Sequence, residues 1–335
     1  MAKAFTTLDD VAKAAGMSRA QVSRALRGDP GVRPETRERI DAIAAELQYR
    51  PNLAARSLVS ATSSIVGLVI GDPNNAFHIQ LAQSVDKRLL AAGFEPVTSL
   101  RPVEGHSAAF ELERLLTLRA AGVILLGTPH HPNVIGEIAD RLPCVFIGSK
   151  RVPHKKVISV AVDDQTGVRL AMEHLFALGH QRIAHLAGGR EPSSKDRARF
   201  YCDIMKAAGL EPMLIRGEHN AAFGRRGVDA LFARDERPTA IFASNDFIAL
   251  GVLDRLKGMG LNVPADISVV GFDDIPDAEN SLFSLTTLRQ DTDVQAQAAV
   301  NALQAMLAGD TRYPRRVDMP VTLITRKSTG PNSAL

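Results

Sequence analysis

Cysteine is scarce in this chain: two residues, Cys144 and Cys202, in a length of 335. Two cysteines make no disulfide framework, and neither has the paired spacing of a zinc site, so both are expected to be packing residues in a reducing compartment. Long apolar runs are also missing. None approaches the ~18–20 residues that a membrane helix requires. The opening residues MAKAFTTLDDVAK contain no apolar signal core, so a cytoplasmic protein is expected. Enzyme signatures are absent too: there is no Gly-rich Lys-Ser/Thr phosphate loop, no His-Glu-x-x-His and no Gly-x-Ser-x-Gly elbow. His130-His131 lies between Pro129 and Pro132 and reads as a loop, while His174, His180 and His185 have no ligand set near them in sequence. No metal, no cofactor and no catalytic residue is expected. The apolar fraction of 45% and charged fraction of 23% are those of an ordinary globular protein.

Net charge is small, +3, but unevenly placed. The first sixty residues contain ten Lys or Arg against seven Asp or Glu, so the other 275 hold thirty of each. The whole excess belongs to the first sixth of the chain.

The pattern changes twice along the chain. Residues 1–48 contain only helical periodicity. Residues 49–63 are polar and basic, and read as a hinge or linker. From Ile65, short apolar runs alternate with amphipathic stretches: IVGLVI, GVILLG, CVFIG and VISVAV before Asp163, then RIAHLA, AIFAS and ISVVGF. Such runs suit strands buried on both faces of parallel sheets, and the length exceeds one compact sheet, which predicts two α/β lobes.

In the head, Thr7 and Asp10 form a capping-box pattern, Gly16 suits a helix C-terminus, and Ser18 with Gln21 forms a second box. Two helices joined by so short a turn predict a helix-turn-helix, completed by a third helix from Pro34. The alternative is a small helical bundle with no DNA role. A helix starting at Ser18 presents Arg19, Ala20, Gln21, Ser23 and Arg24 toward base edges, with Arg27, Arg33 and Arg37 suited to phosphates. After Pro51, Asn52 can cap a short basic segment, Leu53 to Leu58, too short to be a stable helix by itself. Its leucine suits a minor-groove wedge, although a plain linker fits its polarity equally.

The run LDDVAKAAGMSRAQVSRALRGDPGVRPETRERIDAIAAELQYRPNLAARSL closely resembles the DNA-binding head and hinge of the lactose/galactose-repressor (LacI/GalR) family, and the likeness continues through VPADISVVGFDD (263–274) and LTTLRQD (285–291). The resemblance implies a cytoplasmic, nucleoid-associated transcriptional repressor. It would work as a homodimer on a pseudo-palindromic operator of double-stranded DNA. Its fold would be an all-α helix-turn-helix head plus a two-lobed α/β domain related to periplasmic sugar-binding proteins. The DNA-facing set becomes Thr7, Ser18, Arg19, Ala20, Gln21, Ser23, Arg24, Arg27, Asn52, Ala55, Arg56 and Leu58. The expected division is a head over 1–48, a hinge over 49–63, a first lobe over 64–162 with 292–322, and a second over 163–291 with 323–330. Because the tail RKSTGPNSAL contains no leucine heptads, dimers rather than tetramers are expected.

Ligands of open α/β sheets sit at the carboxyl ends of strands. Asp72, then Asn245 and Asp246, then Asp273 and Asp274 follow three of the apolar runs, with Phe77 able to pack on an apolar ligand face. These acceptors suit a hydroxyl-rich effector such as a sugar, polyol or sugar acid. Each could instead merely cap the helix that follows. The resemblance adds Arg197, Gln290 and Asn75 to the set. It also shows two departures: Asn75-Ala76-Phe77-His78 replaces a common Asn-Pro-Phe-Phe, and Phe200-Tyr201 replaces Gly-Phe, so larger side chains are expected to reshape the pocket. A regulator of the same fold that needs a corepressor, a sugar-processing enzyme and an exported sugar-binding protein remain the alternatives.

Overall fold

A computed structural model of the chain describes residues 6–49, 63–100, 106–127, 132–149, 152–189 and 191–332. The expected hinge contacts Asn52, Ala55, Arg56 and Leu58 lie outside these residues, as do His130 and His131. The chain folds as two compact units, Met1–Ser63 and Ser64–Leu335.

Three helices build the first unit: α1 (Leu8–Ala15), α2 (Arg19–Leu26) and α3 (Pro34–Glu46). Local chemistry sets each boundary. Thr7 Oγ1 accepts the Asp10 amide while Asp10 Oδ2 accepts the Thr7 amide, and Ser18 with Gln21 repeats the exchange at the start of α2. Gly16 closes α1 at φ 64°, and Pro34 occupies the first turn of α3. Val11, Ala12, Ala15, Val22, Ala25, Ile40 and Ala44 form the buried core.

The second unit contains two six-stranded sheets. The first has order β11-β5-β4-β3-β1-β2 and is parallel throughout. Its strands are β1 (Ile65–Ile70), β2 (Glu95–Ser99), β3 (Gly122–Leu126), β4 (Cys144–Gly148), β5 (Val157–Val162) and β11 (Arg316–Met319). The second has order β12-β10-β9-β8-β6-β7, with only β12 antiparallel. It comprises β6 (Ile183–Ala187), β7 (Met213–Arg216), β8 (Ala240–Ala243), β9 (Ser268–Asp273), β10 (Thr286–Gln290) and β12 (Val321–Ile324). Helices α4 (Ala76–Ala91), α5 (His106–Thr117), α6 (Pro132–Arg141) and α11 (Thr292–Leu307) belong with the first sheet. Helices α7 (Asp164–Ala177), α8 (Pro192–Ala207), α9 (Ala221–Phe232) and α10 (Asp246–Gly258) belong with the second.

All seven apolar runs are strands. The strands without such a run are those whose polarity hides them. β2 and β7 are edge strands and tolerate exposure, whereas β10 is internal but buries Thr286 and Thr287 through hydrogen bonds to Ser328 and Asp246. Two glycines, Gly224 and Gly227, interrupt helix α9. A Cβ at Gly224 would collide with the Ile248 carbonyl oxygen of α10, so close helix contact demands glycine there. The chain passes between lobes three times, after Val162, after Gln290 and between Met319 and Val321. The last crossing precedes the expected boundary at 322, because β12 already pairs with β10 from Val321.

Candidate operator face and effector cleft

Helix α2 buries Val22 and Ala25 and leaves Arg19, Ala20, Gln21, Arg24 and Arg27 exposed, with Ser23 half-buried. Its arginines lie near acids: Arg19 is 3.5 Å from Asp9, and Asp29 stands 3.5 Å from Arg24 and 3.3 Å from Arg27. Exposed pairs of this kind contribute little, so the guanidinium groups remain available to a stronger anion. Thr7 and Ser18 keep their capping partners while staying on the surface. Arg37 departs from the phosphate role expected of it. It is half-buried and donates to the Asp29 carbonyl oxygen at 2.9 Å, fixing the turn before α3.

In the second unit a cleft opens between the carboxyl ends of the two sheets. Asp72, Asn75, Phe77, Arg197, Asn245, Asp273 and Gln290 all line it, so the three strand ends and the family positions converge on one cavity. Asn75 caps α4 through the Phe77 amide, and Asn245 caps α10 through the Ile248 amide. Capping and lining are therefore not alternatives for these residues.

Asp246 is the correction. It is fully buried behind the cleft wall, where Oδ1 accepts Thr287 Oγ1 at 2.6 Å and Oδ2 accepts the Ile275 amide at 2.9 Å. Burial raises its carboxyl well above the ordinary range, and neighbouring Asp273 adds to that. Asp274 is similarly engaged, by Arg289 and Arg326, and does not line the cleft. The Phe200-Tyr201 pair does not reshape the pocket either. Tyr201 is buried in the second lobe, donating to the Ile183 carbonyl and accepting the Met213 amide, and Phe200 packs into the same core under Arg199.

Arg197 anchors the floor. Its Nε donates to Asp164 Oδ1 at 2.7 Å, its Nη1 to the Ser244 carbonyl at 2.6 Å, and the guanidinium lies 3.4 Å from the Phe272 ring centroid. Asp273 Oδ1 is 3.8 Å from Nη1 and accepts Gln290 Nε2 at 2.6 Å. Burial pushes Asp273 up to about 6 despite those partners.

Several lining residues had no strong sequence signal: Ser149, Glu191, Ser193, His219 and Gln295; His78, which also lines the cleft, belongs to the loop that departs from the family pattern. The imidazoles lean over strand-end glycines. A Cβ at Gly127 would strike the His78 ring and one at Gly188 the His219 ring, so a glycine after an apolar run was the available clue. The Asn245 amide fixes the proton on His219. With Oδ1 occupied by the Ile248 amide, Nδ2 is the atom 3.1 Å from His219 Nδ1, which must accept. The imidazole proton is then on Nε2, facing Ser194 Oγ and Glu191 Oε2, the latter at 3.2 Å. His219 in turn holds the Glu191 carboxyl below its usual range. Burial lowers His78, keeping it neutral.

Among the described residues no group of His, Cys, Asp and Glu is arranged to hold a metal ion, and no helix is long and apolar enough to cross a membrane.

Residues 7–52 match the model for bacterial regulatory proteins of the lacI family, and residues 172–329 match a periplasmic binding protein-like domain. The chain is 33% identical to the ribose operon repressor of Bacillus subtilis, over 97% of this chain and 99% of that protein. It is 32% identical to the lactose operon repressor of Escherichia coli K12, over 98% and 92% respectively. Among solved structures, the Lac repressor dimer bound to operator and the anti-inducer ONPF superposes with a TM-score of 0.86 at 30% identity, covering 97% of this chain and 99% of that one.

Proposed function

This chain belongs to the lacI family of bacterial regulatory proteins, and on that premise we propose that α2 reads operator bases while the cleft takes the effector that sets operator affinity. The protein is a sequence-specific DNA-binding repressor that dimerises, binds an operator and responds to a sugar-type effector. Its relatives are transcriptional regulators, not enzymes. In the proposed mechanism Arg19, Ala20, Gln21 and Arg24 contact base edges, with Thr7, Ser18, Ser23 and Arg27 on or beside the backbone. Asn52, Ala55, Arg56 and Leu58 complete the site from the segment after the head. The carrying observation is that α2 exposes its arginine face directly opposite its buried Val22 and Ala25, so packing the head presents the reading face.

In the cleft, Asp72, Asn75, Phe77, Arg197, Asn245, Asp273 and Gln290 are the proposed effector contacts. The effector acts by favouring one arrangement of the two lobes, and linkage demands that operator DNA change effector affinity by the same factor. No turnover of the bound ligand enters the cycle.

The test begins by selecting binding sites from random DNA with the whole protein. An inverted-repeat consensus is expected, and Arg24→Ala should lose about 1–3 kcal/mol of discrimination at one base step. Leu58→Ala should weaken specific binding more than non-specific binding. Recovery of no preferred sequence would overturn the reading.

A further inference from the structure

The first sheet is parallel throughout, so its strands all begin at one edge, opposite the ends that face the cleft. At that edge α6 and α11 end, β4, β5 and β11 begin, and a groove of about 330 Å³ lies between them. Such a volume suits a small molecule. The buried Leu142 and the half-buried Pro143 and Met306 give the groove an apolar base, and the exposed Arg141, Lys156 and Arg315 stand around it. None of these residues belongs to the operator face or to the effector cleft.

Two acids share the groove, and both are engaged. Asp140 Oδ1 lies 3.1 Å from Lys156 Nζ and 3.7 Å from His154 Nε2, and Asp310 Oδ1 accepts the Arg312 amide at 2.9 Å. The guanidinium groups of Arg141 and Arg315 have no hydrogen-bond or ion-pair partner among the described residues. A cation beside a helix C-terminus can serve the helix alone, because the last carbonyls carry partial negative charge. Lys156 fits that role, since it also donates to the Asp140 carbonyl at 3.4 Å. Arg315 does not fit it. It precedes β11, and its carbonyl accepts the Ser159 amide of β5 at 3.0 Å, which fixes its backbone in the sheet. At the end of α11 the Gly309 and Asp310 amides close the Met306 and Ala305 carbonyls, which reduces the negative charge that an anion would meet. Each free guanidinium offers paired donors that match a phosphate bidentately.

We propose that this groove is a second ligand site, taking a small organic phosphate. Arg141 and Arg315 hold its phosphate, and its apolar body rests on Leu142, Pro143 and Met306. The site does not depend on the role of the cleft, which opens at the other ends of the same strands.

Calorimetric titration of the whole protein with phenyl phosphate tests it, with phenol and inorganic phosphate as the separate halves of the probe. Phenyl phosphate is expected to bind once per chain, at least about tenfold more tightly than either half. Arg141→Ala and Arg315→Ala should each weaken it about tenfold, through loss of a charge-assisted hydrogen bond. Melting temperature should not move, because both side chains are exposed. Arg225→Ala removes the same charge from the exposed surface of α9 in the second lobe and should leave affinity as it is. Binding that survives both groove substitutions, or that falls equally with Arg225→Ala, overturns the site. Absence of phenyl phosphate binding overturns it as well. If the groove substitutions leave the probe unaffected and instead lower the salt slope of operator binding, the two arginines face DNA phosphates and the proposal fails.

Discussion

Two buried titratable residues of the second lobe respond to acid in opposite senses. His185 lies in β6 with no exposure, its Nδ1 donating to the Phe242 carbonyl at 2.8 Å and its ring between Tyr201 and Phe242. Burial pushes it down to about 3 from 6.5. The unfolded chain therefore takes up a proton that the folded chain refuses, and stability is lost as pH falls from 6.5 toward 3. The loss should approach about 1.4 kcal/mol per pH unit, read by urea unfolding at pH 7.5 and 5.5, with His185→Phe flattening the dependence. Asp273, raised to about 6, works the other way: the folded state binds its proton first, so its own contribution favours folding between pH 6 and 3.8. In the proposed effector site, its ionised form would be the acceptor for effector hydroxyls. Effector affinity is consequently expected to drop below pH 6, and Asp273→Asn to remove that drop in calorimetry. His185 did not announce its burial in sequence, since it sits in an ordinary apolar run. Asp273 read as a strand-end acceptor of the cleft, but its raised carboxyl depends on burial that the sequence does not encode. Asp246 is the sharper lesson. It stands beside Asn245 at the same strand end, but the turn aims it into the core, a direction that spacing does not encode.

Elements were legible where their boundaries are local. The caps Thr7 and Ser18, Gly16 and Pro34 all act within a few residues, and each marks a helix end where the sequence places it. Elements defined by a neighbour were not. β2 and β7 become strands because a parallel partner offers hydrogen bonds, and α9 accommodates Gly224 because α10 lies against it. Gly224→Ala is therefore expected to destabilise the second lobe by about 1–3 kcal/mol, despite the better helix propensity of alanine. A rise in melting temperature would show that the two helices can separate at little cost. In the head, Ser18→Ala should cost about 1 kcal/mol by uncapping α2, measurable as faster amide exchange in that helix.

At the scale of the molecule, charge separates the two tasks. The basic excess belongs wholly to the first sixty residues, and the other 275 are balanced. Operator affinity should fall steeply and linearly with the logarithm of salt, by about a thousandfold or more between 50 and 200 mM if six or more phosphates are contacted per dimer. Effector affinity in the same buffers should change far less, because a small effector is not a polyanion with a condensed counterion atmosphere. A shared salt dependence would contradict that division. The sequence by itself determined the helix-turn-helix, its capped ends, its arginine face and the alternation that makes two parallel sheets, because capping and periodicity act over a few residues. Strand ends and the family resemblance also pointed to Asp72, Asn75, Arg197, Asn245, Asp273 and Gln290, and only the tertiary structure decided the other polar residues of the cleft. Gln295 joins it from a helix that follows the second crossing, Glu191 meets His219 across 28 positions, and Asp246 turns away from it. Those pairings arise from three passages of the chain between lobes, and a hydrogen bond between distant residues leaves no periodic trace in either.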